Sequence, residues 1–324
     1  MRAAVGPGPA MSASPPVETA ETPRICVCLC TCDRQDMLPA LFAALAAQTL
    51  PGPLTVFVAD NGAEPADAVV AGLRSEALTP VYRRVAEPGV TPARNAAMAL
   101  AVDAGFDYLA FLDDDEVPEP AWLEELVKTA LAERCDIVCG PVEPVFGGPP
   151  PAWALAGRFF CKSGETLCSS NLLLRAGALP ADRRRWFYPE FGTTGGGDRE
   201  FLKRLVDGGA RTAVAPRALV REHVPVARLA LGYMFRRGLR DGMTDVQILK
   251  RRRPTLWRVW LGSAAIAARK LGYALNHLLW SALCPERLAS AVADAGHVCG
   301  IVLRLSGRRV RLYGPASRRG RTAG

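Results

Sequence analysis

Residues 109–116 read LAFLDDDE, in which four residues suited to a buried strand run directly into four carboxylates. Carboxylates packed this closely repel one another, so the cluster is stable only if it is solvated, partly protonated or neutralised by a cation. Mg²⁺ and Mn²⁺ prefer oxygen ligands, and Mg²⁺ is usually held by one or two carboxylates together with substrate phosphates. A solvated turn that caps the following helix is the alternative interpretation.

Around this stretch, short apolar runs alternate with amphipathic segments, which is typical of an α/β fold with a mostly parallel sheet and helices on its faces. The predicted strands are Ile25–Thr31, Leu54–Ala59, Val81–Val85, Tyr108–Leu112 and Asp136–Cys139. The predicted helices are Gln35–Gln48, a second that begins at Thr91-Pro92 with Thr91 as its N-cap, and Pro118–Arg134.

Two of the predicted strands end in polar residues. One is followed by Asp60-Asn61-Gly62 and the other by the DDDE cluster. Because ligands of open α/β sheets bind outside the carboxyl ends of the strands, two such ends on one edge favour a binding site. Asp-Asn-Gly is also a strong turn former. Neither GxxxxGK[ST] nor GxGxxG follows a strand, which argues against P-loop and dinucleotide-binding sites.

Four cysteines lie in the first predicted strand and directly after it: Cys26, Cys28, Cys30 and Cys32. They recur at every second position, as side chains on one face of a strand do, whereas zinc sites generally use a C-x₂₋₄-C turn. We interpret them as small apolar core residues in a reducing compartment, with metal binding as the alternative.

Charge divides the chain at His223. Residues 1–223 contain 21 Lys and Arg against 28 Asp and Glu, a balance of −7, whereas residues 224–324 contain 19 against 4, a balance of +15. The first 23 residues are rich in Pro, Ala and Ser and lack the apolar segment of a secretory signal, which predicts a disordered leader. We therefore expect a leader (1–23), an α/β domain (24–223) and a basic, amphipathic helical extension (224–324).

Four stretches, in this order, resemble the amino-terminal half of family 2 glycosyltransferases with the GT-A fold. They are ICVCLCTCDRQDMLPALFAALAAQT (25–49), VFVADNG (56–62), EPGVTPARNAAM (87–98) and YLAFLDDDEVPEPAWLEEL (108–126). The resemblance covers about residues 24–223 and implies a Rossmann-like GT-A domain. It also implies an enzyme that transfers a sugar from a nucleoside-diphosphate donor, linked to UDP, GDP or dTDP, to a saccharide or lipid-linked acceptor.

The resemblance implies a donor site along the loops of this domain. Asp60 would hydrogen-bond the nucleobase, and Thr31 lies in the loop that contacts the nucleoside. Arg94 matches a basic position near the nucleotide-sugar, with a solvated helix residue as the alternative.

The cluster after the fourth strand resembles the DxD motif of this family. Asp113 would face the ribose or sugar, Asp114 would belong to the same donor-binding motif, and Asp115 would bind the Mg²⁺ or Mn²⁺ that bridges the diphosphate. His223 follows an apolar strand pattern, at the position where many GT-A enzymes carry a metal-binding histidine. An ordinary surface or core histidine is the alternative.

The stretch FGTTGGGDREFLKRL (191–205) resembles the acceptor-side motif of the family. In that motif an Asp follows a Glu; here Asp198 matches the Asp, and Gly197 replaces the Glu. Inverting transfer needs a base on one face of the sugar and a stabilised leaving group on the other. Asp198 is the candidate catalytic base, with a helix cap as the alternative.

The basic extension predicts an amphipathic helix on an anionic membrane face, because Trp257, Trp260 and Trp280 lie near basic residues. The apolar runs Val259–Ala268 and Leu271–Cys284 are shorter than the ~18 residues that span a bilayer, so we expect no membrane-spanning helix. We expect no nucleic-acid partner. Packing of the helices on the catalytic domain is the alternative. The expected location is the cytoplasmic side of the cell membrane, as a peripheral protein.

Two other functions compete with glycosyl transfer. Nucleotidyl transfer also uses clustered carboxylates and a metal, and it releases pyrophosphate instead of a nucleoside diphosphate. A membrane-bound scaffold could keep the same fold without turnover.

Overall fold

The computed structural model describes residues 23–192, 194–252 and 255–308. Apart from Pro23, the predicted leader lies outside these residues, as does the end of the basic extension, residues 309–324. The strands are β1 (Ile25–Thr31), β2 (Leu54–Asp60), β3 (Leu78–Arg84), β4 (Tyr108–Asp113), β5 (Glu116–Pro118), β6 (Ile137–Cys139), β7 (Val142–Phe146), β8 (Leu172–Arg175), β9 (Thr212–Val214) and β10 (Val220–Val224). The helices are α1 (Leu38–Ala46), α2 (Asp67–Gly72), α3 (Val90–Asp103), α4 (Trp122–Glu133), α5 (Ala152–Ala156), α6 (Gly197–Asp207), α7 (Leu231–Arg252), α8 (Leu256–Trp280) and α9 (Pro285–Leu305).

Seven strands form a central sheet in the order β3-β2-β1-β4-β8-β6-β9. The first four run parallel, β8 runs antiparallel to β4 and β6, and β9 is parallel to β6. A smaller sheet has the order β5-β10-β7. This mixed, mostly parallel α/β architecture, followed by three C-terminal helices, confirms the predicted fold class.

The core lies on both faces of the central sheet. In β1, Val27 and Leu29 pack in one hydrophobic cluster with residues of α1, whereas Cys26 and Cys28 pack in a second cluster with residues of α3. Strands buried on both faces are expected to be apolar throughout, which explains the uninterrupted run ICVCLC. Cys26 and Cys28 are confirmed as core residues, and no disulfide joins any of the ten cysteines, all of which lie within the described residues.

Two element boundaries differ from the sequence expectation for a physical reason. Strand β3 begins at Leu78 and includes Pro80, which is tolerated because β3 lies at the edge of the sheet. Helix α4 begins at Trp122 instead of Pro118, because Glu116–Pro118 pairs with β10 as strand β5. The tertiary pairing with a distant strand could not be read from local sequence.

Thr91 was expected to cap the second helix, and the structure corrects this. Helix α3 starts at Val90 with Gly89 as its N-cap, and Thr91 is a buried residue inside the first turn. Gly89 has φ +108°, and a Cβ there would lie 2.7 Å from the carbonyl oxygen of Gly192. The close approach of the loop that contains Gly192 therefore sets the start of helix α3.

The described part of the basic extension contains the three helices α7, α8 and α9, and α7 and α9 pack with their backbones in contact. The contact uses two pairs of glycines: Gly238 and Gly242 on α7, and Gly296 and Gly300 on α9. A Cβ on Gly242 would lie 2.0 Å from the carbonyl oxygen of His297. Small residues at this spacing let two helices approach more closely than larger side chains allow.

Helix α9 bears on one expectation about the extension. Among the described residues it is the one helix long and apolar enough to cross a membrane by length and composition, and the absence of a membrane-spanning helix stays a prediction. Asp294 and His297 interrupt its apolar run, which hid it from the sequence reasoning. Both side chains are buried: Asp294 forms an ion pair with Lys270 of α8, and His297 lies within hydrogen-bond distance of Asp245 of α7. Buried core helices of ordinary domains share the same length and composition.

We predict opposite effects for two Gly→Ala changes in this layer. Gly242→Ala should lower the free energy of unfolding by about 2 kcal/mol, because the added methyl group overpacks a backbone contact. Gly272→Ala on α8 meets no atom within 4 Å, so it should raise the free energy by about 0.5–1 kcal/mol through helix propensity. Denaturant unfolding of both variants measures this; equal effects would contradict the packing.

Candidate functional site

Polar side chains collect where β1, β2 and β4 end. Thr31 is in register with Asp60 on the neighbouring strand β2, and Cys30 is in register with Asp113 on β4. The three strands are parallel, so their carboxyl ends meet at one edge of the sheet. The structure therefore brings together the two polar strand ends that the sequence singled out.

Asp113 pairs with Arg94 of α3. The guanidinium Nη2 lies 3.2 Å from Oδ1 of Asp113, and Arg94 is buried beside the ring of Phe187. Burial acts to raise the pKa of Asp113, but the positive charge of Arg94, followed by that of Lys162, holds the pKa below its usual value. Arg94 is thus not a solvated helix residue. The side chain of Asp113 is 38% exposed, which leaves it accessible to a ligand.

Asp114 turns inward from the same cluster. It accepts a hydrogen bond of 3.0 Å from the hydroxyl of Thr31 and one of 2.6 Å from the guanidinium of Arg34. Burial raises its pKa to about 6; Arg34 opposes the rise, and the neighbouring carboxylates add to it. Thr31 and Asp114 are both buried and bonded to each other, and their donor-binding roles stay predictions.

Asp115 is held by two arginines from distant parts of the chain. Its Oδ2 lies 3.0 Å from Arg34, which follows β1, and 3.2 Å from Arg228, which belongs to the basic extension. Burial raises the pKa of Asp115, against the effect of Arg34. The extension therefore contributes a charged group to the acidic cluster.

Glu116, the last carboxylate of the cluster, is fully buried and stabilises the turn. Its Oε2 accepts a 3.0 Å hydrogen bond from the backbone N–H of Asp113, and its Oε1 lies 3.8 Å from Nζ of Lys162. Burial, followed by the charge of Asp113, raises its pKa to about 8. Lys162 also binds Glu222 of β10 at 3.0 Å. Lys162 therefore joins the turn to the small sheet.

His223 reaches the cluster through its backbone. Its N–H donates a 2.8 Å hydrogen bond to the carbonyl oxygen of Asp115, but its imidazole lies against Gly147. Since side chains alternate along a strand, the preceding Glu222 is the residue of β10 that points toward the charged cluster, where it pairs with Arg228 at 2.7 Å. The metal-binding role of His223 stays a prediction.

Asp60 lies at the expected edge but is almost completely buried. Its carboxylate accepts hydrogen bonds from the backbone N–H groups of Gly62 and Ala66, from the Tyr82 hydroxyl at 2.8 Å and from Arg84 at 3.0 Å. These contacts fix the loop after β2 and the end of β3. Contact of Asp60 with a nucleobase stays a prediction.

Asp198 lies in the first turn of α6, whose N-cap is Gly196 with φ +80°. The side chain is partly exposed, and its Oδ1 accepts a 2.8 Å hydrogen bond from the N–H of Arg199. Asp198 is therefore not the cap residue of the helix. Burial acts to lower the pKa of Arg94, but the negative charges of Asp113 and then Asp198 hold it above its usual value. Asp198 is therefore within electrostatic reach of Arg94, the residue that pairs with Asp113.

Sequence reasoning missed four charged residues of the site, which are Arg34, Lys162, Glu222 and Arg228. Arg34 could have been found, because it lies three residues beyond the end of β1, at the edge where ligands bind. The other three come from segments whose position depends on tertiary packing, and no local pattern marks them.

A divalent cation fits the oxygen ligands of the acidic turn, by which we mean residues 113–116. Among the described residues, no group of three or more His, Cys, Asp or Glu side chains converges so as to hold a metal alone. Asp113 and Asp115 nevertheless offer the carboxylate oxygens that Mg²⁺ and Mn²⁺ prefer, and Mg²⁺ commonly needs only one or two besides substrate phosphates. A cation would also offset the burial that raises the pKa of Asp115.

The fold is similar to that of GT-A glycosyltransferases. The chain belongs to glycosyl transferase family 2, whose sequence model matches residues 26–188. The succinoglycan biosynthesis protein ExoM of Rhizobium meliloti (strain 1021) is 34% identical over 297 residues, which cover 87% of this chain and 94% of ExoM.

Solved structures share the fold at lower identity. The mannosyltransferase PcManGT from Pyrobaculum calidifontis, in complex with GDP-Man and Mn²⁺, has a TM-score of 0.56 and 17% identity, with coverage of 90% of this chain and 89% of that chain. Residues 1–349 of S. aureus TarS, in complex with UDP, have a TM-score of 0.51 and 17% identity, with coverage of 89% and 93%. These likenesses confirm the GT-A fold.

We predict that Lys162→Met lowers the free energy of unfolding by about 2 kcal/mol, because it leaves Glu116 and Glu222 without their shared cation. Breaking a fully buried pair usually costs about 3–5 kcal/mol. The expected loss is smaller here because the Lys162 side chain is partly exposed. Lys128→Met is the matched control. It breaks an exposed pair with Glu124 on α4 and should change the free energy by about 0.3–0.5 kcal/mol. Similar losses in both variants would contradict a central role for Lys162.

Proposed function

We propose that the protein is an inverting glycosyltransferase that moves a sugar from a UDP-, GDP- or dTDP-linked donor to a hydroxyl group of a saccharide or lipid-linked acceptor. The observation that carries this proposal is the acidic turn at the carboxyl edge of the sheet, within electrostatic reach of Asp198. The names of the relatives support it, since ExoM is a succinoglycan biosynthesis protein and the PcManGT complex contains GDP-Man. We therefore favour a step of polysaccharide or glycolipid synthesis.

Asp113 and Asp115 are the residues that would hold Mg²⁺ or Mn²⁺. When bound, the ion neutralises charge on the leaving diphosphate as a Lewis acid. Asp115 is oriented for this role by Arg34 and Arg228, which limit its rotation. Arg94 keeps Asp113 ionised, because its positive charge lowers the pKa of that carboxyl group against the effect of burial.

Asp198 is the proposed general base. A carboxylate at the start of α6 would accept the proton of the acceptor hydroxyl as the oxygen attacks the anomeric carbon from the face opposite the leaving group. Positioned acid–base groups contribute about 10²–10⁴-fold to rate. Its partial exposure allows access to an acceptor. The Glu that precedes this Asp in the family motif is absent here, so acceptor orientation depends on other residues.

The basic extension is proposed to hold the enzyme as a peripheral protein on the cytoplasmic face of a membrane. Helix α8 contains no Asp or Glu and has exposed Arg258 and Arg269. Apolar side chains at helical spacing form an exposed stripe along it, the α8 stripe: Trp257, Trp260, Leu261, Leu271, Leu275, Leu278 and Leu279. A long apolar stripe beside cations is suited to the interface of an anionic bilayer, where each Lys or Arg adds about 1 kcal/mol.

We predict that Asp115→Asn weakens metal-dependent donor binding while the fold survives, because the change keeps shape and removes charge. The Mn²⁺ concentration for half-maximal binding of a nucleotide-sugar should rise about tenfold or more. Titration calorimetry with and without Mn²⁺ measures it. Asp103→Asn, at an exposed ion pair of α3, is the control; unchanged metal dependence in Asp115→Asn would remove the assignment.

We predict that Asp198→Asn reduces transfer by about 10²–10⁴-fold and leaves donor affinity within about twofold, since the base acts on the acceptor. Asp207→Asn, an exposed residue of the same helix, should leave both unchanged. The rate of donor consumption with an acceptor extract, together with donor affinity, tests this. Near-normal turnover in Asp198→Asn would leave Asp198 as a structural residue of α6.

We predict that the full chain co-sediments with phosphatidylglycerol-containing vesicles and not with neutral phosphatidylcholine vesicles, and that 0.5 M salt weakens the binding, because salt screens the attraction. Leu279→Glu should reduce binding, since it places a carboxylate in the α8 stripe; Leu155→Glu, at an exposed leucine of α5, should not. Equal binding to both vesicle types, or none at low salt, would make the extension a packing element.

A further inference from the structure

The first turn of α6, which carries the proposed base, is tied to the basic extension by an ion pair. Arg199, next to Asp198, binds Oδ1 of Asp245 on α7. The other oxygen of that carboxylate, Oδ2, lies 2.9 Å from Nε2 of His297 on α9. Asp245 therefore joins three helices, and one of them begins at the candidate site.

The loop before α6 is also held by α7. We call residues 188–192 and 194–199 the glycine-rich segment. The hydroxyl of Thr244 donates to the carbonyl oxygen of Gly195 at 3.3 Å, and the amide of Gln247 donates to the carbonyl oxygen of Glu190 at 2.9 Å. A Cβ on Gly196 would lie 2.2 Å from the side-chain methyl group of Thr244, so only glycine leaves room for that side chain.

The glycine-rich segment depends on these external contacts for its shape. Gly195 and Gly196 have φ of +84° and +80°, in the left-handed region that glycine adopts about as readily as negative φ because it has no Cβ. No strand bounds the segment, and its other neighbour is the start of α3, where the N–H of Val90 donates to the carbonyl oxygen of Gly192 at 3.3 Å. Helix α3 carries Arg94 of the donor side. The segment is thus enclosed by the donor site and by α7.

Helix α9 in turn fixes α7. The glycine contacts between the two helices bring their backbones together, and Arg304 of α9 donates to Gln247 at 3.2 Å. Two α7 residues that hold the glycine-rich segment, Asp245 and Gln247, are therefore both bonded to α9. A displacement of α9 would be transmitted to the first turn of α6.

We infer that Asp245 is a positioning residue for sugar transfer: through Arg199 it sets the orientation of the first turn of α6, and so of the Asp198 carboxylate, while His297 holds Asp245 in place. The inference rests on the proposed role of Asp198 as the base. It gives the basic extension a part in the transfer step as well as a part in anchoring. We expect donor binding to be unchanged, because the bonds of Asp245 to Arg199 and His297 involve none of the carboxylates of the donor side.

The chain offers a matched control in Asp294. This carboxylate lies on α9, binds Lys270 of α8 at 2.7 Å and has Nδ1 of His277 3.2 Å away. Like Asp245, it joins a cation and a histidine between helices of the extension, with 10% of its side chain exposed against 21% for Asp245. It has no bond to the glycine-rich segment.

The test compares Asp245→Asn with Asp294→Asn in the full chain. Both variants should lose thermal stability to a similar extent, whereas kcat should fall at least tenfold only in Asp245→Asn, with the KM for donor and the donor affinity within about twofold of the wild type. A kcat within twofold of the wild type in Asp245→Asn, or an equal loss in Asp294→Asn, would overturn the inference.

Arg199→Met removes the same bond from the side of α6, and 42% of the Arg199 side chain is exposed, so folding is not at risk. Arg199→Met should lower kcat by a similar factor. The double variant with Asp245→Asn should be no slower than either single variant, because both changes remove the same bond. Arg199→Lys should recover part of the loss. Additive losses would overturn the inference. Full turnover in Asp198→Asn would show that Asp198 is not the base. That failure of the proposed function is distinguishable from a failure of the inference about Asp245, because it is measured on a different variant.

Discussion

Mutual repulsion among the carboxylates that follow β4 is the constraint on which the rest of the site depends. Four acidic residues in sequence end a buried strand, and three of them, Asp114, Asp115 and Glu116, are almost completely buried. Burial raises the pKa of each. The cluster exists because cations from four separate segments are brought to it, which are Arg34, Arg94, Lys162 and Arg228.

That requirement links the architecture to the chemistry. The cations come from the loop after β1, from α3, from the segment before β8 and from the start of the basic extension, so the fold must place all four segments at one edge of the sheet. Two of these parts of the chain, α3 and the basic extension, also contact the glycine-rich segment that contains Asp198. Charge compensation on the donor side and positioning of the proposed base therefore both depend on α3 and the extension.

The sequence predicted those features that local chemistry determines. Strand β1 was predicted with its observed bounds because ICVCLC is buried on both faces, and the acidic turn was placed at the sheet edge because carboxylates cannot continue a buried strand. Features set by tertiary contact were not predictable: Thr91 became an interior residue of α3 because the Gly192 carbonyl approaches Gly89. Strand alternation turned the His223 imidazole toward Gly147 and gave Glu222 the contact with Arg228.

The identity of the phosphorus-containing product tests the central claim most directly. Purified full-length protein is incubated with Mn²⁺, a panel of UDP-, GDP- and dTDP-sugars and a membrane extract as acceptor source, and the products are followed by ³¹P NMR. Glycosyl transfer at the acidic turn predicts release of a nucleoside diphosphate that depends on both Mn²⁺ and the extract. Release of a sugar 1-phosphate would instead indicate nucleotidyl transfer from the nucleotide-sugar, and no consumption of any donor would indicate a scaffold without turnover; either result would contradict the account.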